Sequence, residues 1–596
     1  MPGYTSVQRK KPAGRQAGRA EALSRSPSRS SQNLVVPFLK HLRTVSGLTL
    51  LSRIAGLARD AALAHVIGAG WIMDAYAMAF RIPNLLRQLL GEGALSAAFI
   101  PVFTEHLEKD GREAANRFMS LMIGVLVAVL AALTLVADGA LLTLRYFSDP
   151  GTKWHLIFGL AAVLFPFAIM VCLVALLQAA LNCRHHFAMP ALAPVLLNLF
   201  IIGGAIVSGL WLADDRIVQV YVIAGAILVA GLVEIAIQVP IMRRLGLVFR
   251  PVWDLRDPGL RRVARLIGPM ALAIGLVQFN VFLDSLIANL LSPNVPGVES
   301  FHFGGWQIAY PMKVGAASVL YYGPLIYQFP LGVFAIALAT VLFPVLSRHA
   351  VHRDFVGLGR TASHGLRLTL FIGIPAGVGI ILVCEPLVRL FLGHGRFAEA
   401  PDAAARTAWV ASLYSLGLWA YSANHIFLRA FYAMEDIRTP LRIVLVAAAT
   451  NLVLNLVLVW PMAEGGLALA TVISAVLKLG LLSWLLLRRS AHLAWREVGA
   501  TTGRTLLAAG AMGLATWATI HWAVPTLPLG GRWLDLARLL GGIGVGLAVF
   551  VAAARVLKMS ELGDLLGGGE AVPPDESIPP SPPSANQPLD PAAPAR

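Results

Sequence analysis

Seven charged side chains fall inside the first two apolar segments of this 596-residue chain: Arg53, Arg59, Asp60, Asp74, Arg81, Arg87 and Glu92. Arginine outnumbers acid among them, four to three. A charge at bilayer depth costs roughly 3 kcal/mol on insertion scales, so it persists where it meets a partner or a wet cavity. Arg53 and Arg59 are one and a half to two helical turns apart, about 9 Å along the axis. Asp60 lies on nearly the same face as Arg53. Salt bridges between the two helices, with snorkelling at their ends, account for part of this charge. They leave the arginine excess unexplained. Pro83 and the Gly-Glu-Gly at 91–93 would bend or loosen the second helix and expose its backbone to a cavity. A guanidinium binds phosphate through a planar, permanently charged fork. A bent, arginine-lined helix therefore suits an anionic cargo, either water-soluble or attached to something membrane-soluble.

Holding those charges at depth requires membrane-spanning helices. Only 13% of residues are charged, 57% are hydrophobic and the mean hydropathy is +0.71. About 20 apolar residues span a bilayer core as a helix, and a helix satisfies its own backbone in lipid. Fourteen apolar segments are expected, centred near residues 55, 90, 130, 167, 198, 230, 275, 335, 373, 418, 450, 476, 512 and 545. The fold class is thus an all-α polytopic membrane protein. The net charge of +16 raises nucleic acid as a partner, but Lys and Arg concentrate beside the spans, as cytoplasmic flanks do. No nucleic acid is expected. Cys172, Cys183 and Cys384 show no CxxC spacing, which argues against a disulfide framework or thiolate metal site. With no nucleotide-binding loop, nucleophile motif or metal-ligand cluster, the chain reads as a transporter without a cofactor, not an enzyme.

Basic residues alternate by loop. Lys109, Arg112 and Arg117 follow the second span, Arg184 the fourth, Arg243 and Arg244 the sixth, Arg348 the eighth, Arg438 the tenth and Arg488 the twelfth. This places both termini in the cytoplasm. The loop after the ninth span is the exception, with Arg389, Arg396 and Arg406. A weak repeat pairs PVFTEH at 101–106 with PVLSRH at 344–349. Spans 1–6 and 7–12 then read as two six-helix halves related by a pseudo-two-fold axis along the membrane normal, with the binding site between them. Two further helices follow. The expected organisation is a disordered basic cytoplasmic tail over 1–34, halves over 35–250 and 251–490, two helices over 491–558 and a disordered Pro-rich cytoplasmic tail over 559–596.

SRIAGLARD at 52–60 and DAYAMAFRIPNLLRQLLGEGALSAAFIPVF at 74–103 resemble the signature of the MurJ (MviN) lipid II flippases. These belong to the multidrug/oligosaccharidyl-lipid/polysaccharide exporter superfamily. LNCRHHFAMPALAPVLLNL at 181–199, FPLGVFAIALATVLFPVLSR at 329–348 and FYAMEDIRTP at 431–440 follow in the family's order. The resemblance runs from about residue 40 to 490. It implies fourteen helices, a cationic cavity, and movement of undecaprenyl-pyrophosphate-linked lipid II from the inner to the outer leaflet by alternating access. It implies a bacterial cytoplasmic (inner) membrane protein of peptidoglycan biosynthesis, in contact with membrane lipids and with cell-wall synthesis proteins. It assigns Arg53, Arg59 and Arg87 to the pyrophosphate or peptide carboxylates. It assigns Asp74 to an outer gate, where a partner helps hold one state, and Gly91, Glu92 and Gly93 to gating.

Positions matching a sodium site of some family members are Asp284, Asn451, Asn455 and Thr471. Asn451 and Asn455 are one turn apart, so both can face one point, and oxygen ligands suit a hard cation. Interhelical amide hydrogen bonding accounts for the same residues equally well. Coupling to Na⁺ or to the membrane potential is open at this point. Glu234 in the sixth span is expected to pair with a neighbour. One departure stands out. The family's eighth span carries an acid–arginine pair, and Pro324 and Leu325 stand there instead. Lys313 is the candidate to compensate. The departure keeps two alternatives in view: an exporter of another lipid-linked saccharide or small molecule within the superfamily, and a non-transporting membrane scaffold.

Overall fold

The computed structural model describes residues 29–89, 95–212, 215–400, 402–490 and 493–565, with backbone alone for 29–46, Phe303, Ser490 and some positions within 269–277. Helices dominate. They are α1 (Arg29–Val66), α2 (Trp71–Leu86), α3 (Leu95–Glu105), α4 (Gly111–Phe147), α5 (Lys153–Leu164), α6 (Phe167–Cys183), α7 (Ala188–Trp211), α8 (Arg216–Arg244) and α9 (Pro258–Leu290). After a short hairpin come α10 (Ala316–Pro330), α11 (Ile336–Val351), α12 (Phe355–Phe391), α13 (Ala403–Leu416), α14 (Leu418–Ala433), α15 (Arg438–Met462), α16 (Glu464–Ser490), α17 (Trp495–Ala518), α18 (Gly531–Val556) and α19 (Ser560–Leu565).

Among the described residues, ten helical stretches are long and apolar enough to cross a membrane. Many of their large apolar side chains face outward, Leu135, Val136, Val341 and Leu514 among them. Such a surface would be an aggregation liability in water and is ordinary in lipid. The chain is a multi-pass membrane protein. Of the four remaining expected spans, those near 55, 275 and 418 are also helical, as α1, α9 and the α13–α14 pair, while the centre of the one near 90 lies outside the described residues, after α2.

Proline and backbone geometry shape several helices. Pro83 lies inside α2, and residues 87–89 continue it in π-winding, as expected where a missing N–H and the ring clash disturb the ladder. Pro330 is followed by a π turn over Leu331–Ala335 before α11.

Two features depart from the sequence reading. The all-α expectation misses a hairpin, β1 (Ser300–Phe303) and β2 (Trp306–Ala309), paired antiparallel with Phe303 opposite Trp306. Gly304 and Gly305, at φ 57° and 86°, supply the two left-handed residues of a tight hairpin turn. At the tails, α1 takes in residues 29–34 of the expected 1–34 tail and α19 residues 560–565 of the expected 559–596 tail, and the remainder of both lies outside the described residues. Glu561 of α19 is buried against Arg367, at 2.7 Å, which gives this short helix an anchor.

The chain divides into two compact units. Among the described residues, one comprises those up to Ala62, Leu86–Leu141 and Ala162–Ala271; the other comprises Leu63–Leu85, Leu142–Ala161 and those from Leu272 on. The first has a core of α3, α4 and α6 side chains, with Phe99 stacked on Phe103 and Phe118 at 5.0 and 5.8 Å. In the second, Leu366, Phe427, Phe431, Leu479 and Leu486 pack α12, α14 and α16 together. A further cluster joins α10 to α13 and α16 through Leu320, Val410 and Leu467.

Candidate functional site

In the first unit, Arg59 is held on two sides. Its Nε and Nη2 donate to the buried carboxylate of Asp60 at 2.9 and 3.0 Å, and its Nη1 donates to Asn198 Oδ1 at 3.1 Å. Asn198, on α7, is fixed in turn by donating to the Ser52 carbonyl at 3.2 Å. The guanidinium is therefore oriented before any ligand arrives, which lowers the cost of ordering it. Arg53 is exposed on the same helix. Arg87 is half-buried in the π-wound continuation of α2, and its charge acts on the buried Glu234 of α8. Gly91, Glu92 and Gly93 lie outside the described residues.

In the second unit, Asp74 is buried at the start of α10. Its Oδ1 accepts from the Ser318 N–H and hydroxyl, both at 2.6 Å, and its Oδ2 accepts from Gly315 N–H at 2.9 Å. A carboxylate at a helix N-terminus satisfies orphan donors and complements the helix dipole. Gly315 must be glycine on two counts: its φ is 86°, and an added Cβ would sit 2.7 Å from the Ala69 carbonyl. The charge of Lys153 also acts on Asp74. Lys153 is fully buried, and its Nζ donates to the Asn289 carbonyl (2.8 Å), the Ser292 carbonyl (3.2 Å) and Ser292 Oγ (2.8 Å) at the end of α9. Sequence reading missed Lys153 because a single lysine at a span's first residue looks like a snorkelling flank.

The four expected ion-site residues come together. Asn455 Nδ2 donates to Asp284 Oδ1 at 2.5 Å and to Asn451 Oδ1 at 3.0 Å, and Asn451 Nδ2 donates to Thr471 Oγ1 at 3.4 Å. This is an amide network across α9, α15 and α16. It leaves Asn455 Oδ1 buried without a partner, so the donor set is oxygen-rich with one oxygen free, which fits a hard cation. Arg81, passed over as a site residue, belongs to this layer: Asp284, Tyr321 and Tyr414 all act on it electrostatically. The rings of Tyr414 and Tyr421 lie 5.4 and 5.2 Å from that of Tyr327.

Lys313 does not stand in for the eighth-span arginine. It is exposed and pairs with Asp402 at 2.9 Å. Partial burial alone would raise the Asp402 carboxyl; the Lys313 hydrogen bond and the charges of Arg406 and Lys313 outweigh it and hold the group below its ordinary value. The basic loop after the ninth span is also explained in part. Arg406 pairs with the buried Glu464 and donates to the Val314 carbonyl at 2.9 Å, while Arg389 pairs with Glu385. An arginine bound to a carboxylate is a weaker topological signal than a free one.

An apolar groove of about 660 Å³ opens in the second unit, lined by Leu370, Trp419, Leu479, Trp484, Trp495 and Leu506 from α12, α14, α16 and α17. At its α16 end the Arg488 guanidinium stacks on Trp484 at 3.9 Å.

Residues 63–530 match the family profile described as "Lipid II flippase MurJ". The chain belongs to the MurJ family. This is a family of transporters, not enzymes. The "Probable lipid II flippase MurJ" of Vibrio cholerae is 32% identical over 86% of this chain and 95% of its own length. The Burkholderia cenocepacia "Lipid II flippase MurJ" is 31% identical over 75% of this chain and 83% of its own. Among solved structures, "Lipid II flippase MurJ, inward closed conformation" aligns with a TM-score of 0.67 at 23% identity, covering 86% of this chain and 99% of that one. An inward-facing multidrug resistance MATE family transporter aligns at 0.58 and 14% identity, over 75% and 98% of the two chains. These structural likenesses show the fold. Against the MurJ pattern, Pro324 and Leu325 sit half-buried in mid-α10, where no ionic pair can form.

Proposed function

We propose that this protein moves lipid II from the inner to the outer leaflet of the bacterial cytoplasmic membrane by alternating access through a cationic cavity. The observation that carries this reading is the MurJ match over residues 63–530. It is supported by Arg59, whose guanidinium Asp60 and Asn198 orient. Arg59, Arg53 and Arg87 take the pyrophosphate or peptide carboxylates through charge-assisted hydrogen bonds. The apolar groove takes part of the polyprenyl tail. Asp74, bonded to the start of α10, serves the outer gate, with Gly91, Glu92 and Gly93 contributing to gating. In the same reading the chain crosses the membrane fourteen times, as six-helix halves over 35–250 and 251–490 and two helices over 491–558, with both termini cytoplasmic.

Asp284, Asn451, Asn455 and Thr471 would hold a sodium ion, whose movement would couple transport to an ion gradient; the membrane potential can also act on the moving charges. Cell-wall synthesis proteins are natural neighbours of such a flippase. A scaffold that binds lipid-linked saccharide without moving it draws on one observation, the uncharged Pro324–Leu325.

Complementation separates these readings. In a bacterium depleted of its own lipid II flippase, wild type is expected to restore growth and Arg59→Ala, at equal membrane abundance, to fail. A scaffold would restore growth in neither form.

A further inference from the structure

Three basic side chains gather in the second unit. His425 and Arg429 are one turn apart on α14, and Lys478 lies on α16. The two helices are registered there by Asn424 Nδ2 donating to the Ala475 carbonyl at 2.9 Å. That contact places His425 beside it in sequence and Lys478 one turn along. The charges of Lys478 and Arg429 both act on His425. All three side chains are half-buried. Among the described residues none of them forms an ion pair. No carboxylate acts on His425 or Lys478 among the charges that do.

Gathering like charges at membrane depth is unfavourable twice over, through desolvation and through mutual repulsion. A polar cluster kept at that cost points to an anion that relieves it. The cluster also lies close to the helix that lacks its charge. Tyr327, two residues after Leu325 on α10, touches Tyr421, which is one turn before His425 on α14.

We propose that His425, Arg429 and Lys478 form a second anion site for a phosphoryl group, which takes over the role the absent eighth-span arginine would have had. Arg429 offers a bidentate fork, Lys478 a point charge and His425 a further donor. The inference rests on the transport reading only for the source of the phosphoryl group, not for the chemistry of the site.

The test uses the full-length purified protein and the double variant Arg429→Gln/Lys478→Gln, with Arg429→Lys as the conservative control. The probes are inorganic pyrophosphate, lipid II, and vesicles of phosphatidylglycerol in phosphatidylcholine. The double variant is expected to bind at least one probe about tenfold more weakly, the scale of a lost hydrogen bond to a charged group. Its thermal stability should be unchanged or raised, since repulsion has been removed, and Arg429→Lys, which keeps the charge but loses the fork, should weaken binding less than the double variant does. Weakening for lipid II but not for the vesicles assigns the site to the cargo. Weakening for the vesicles assigns it to a lipid headgroup, and weakening for pyrophosphate alone assigns it to free phosphate. If wild type binds pyrophosphate through this site and does not bind lipid II, the site stands and the transport reading falls. Unchanged binding of every probe overturns the proposal, as does lost binding with lowered thermal stability, which is what a structural role would give.

Discussion

Arg59 is oriented in the first unit because its fork is used on three acceptor atoms at once: both oxygens of Asp60, and Asn198 Oδ1. A lysine cannot span that geometry. Arg59→Lys should therefore lower lipid II transport by at least about tenfold, measured as outer-leaflet lipid II at matched expression. Lys313→Ala should leave the same measurement unchanged, because Lys313 is exposed on Asp402. The arginine excess was readable from the sequence, since charge in an apolar run has no background to hide in. The partners were less readable. Asn198 is uncharged and lies 139 residues from Arg59. Lys153 and the His425–Arg429–Lys478 cluster escaped for a related reason: each is a single basic residue on its own turn of helix, and only packing brings them to acceptors or to one another.

At the scale of elements, the start of α10 is tied to the rest of its unit through Asp74, which accepts three hydrogen bonds there. Asp74→Ala removes three hydrogen bonds from its first turn. The expected cost is about 1–2 kcal/mol in helix capping, seen as faster amide exchange over residues 315–318. Gly315→Ala should cost more, because it combines a positive φ with a clash on the Ala69 carbonyl. Lys153→Met leaves the carbonyls at the end of α9 without their donor. A loss of about 2 kcal/mol is expected, read as a lower thermal inactivation temperature in detergent. Helices were legible because lipid permits little else for a spanning segment. The hairpin at 300–309 was not, since eight strand residues in a loop bury too little to leave an apolar period. Nor was α19, whose stability comes from Arg367, distant in the chain.

At the scale of the whole molecule, the family was legible because its N-terminal block is long and specific, and the match over residues 63–530 agrees with it. The same block could not reveal how this chain works without charge at positions 324 and 325. In the proposed mechanism Arg53, Arg59 and Arg87 take the anionic head, while cations elsewhere in the chain replace the eighth-span pair. Its most direct test is the fraction of lipid II reaching the outer leaflet, read by an impermeant lipid II-cleaving enzyme in flippase-depleted cells that express this protein. Wild type should expose lipid II, Arg59→Ala should not, and Leu325→Arg should bring no gain. A well-expressed wild type that exposes none, with exposure appearing only in Leu325→Arg, would contradict this mechanism.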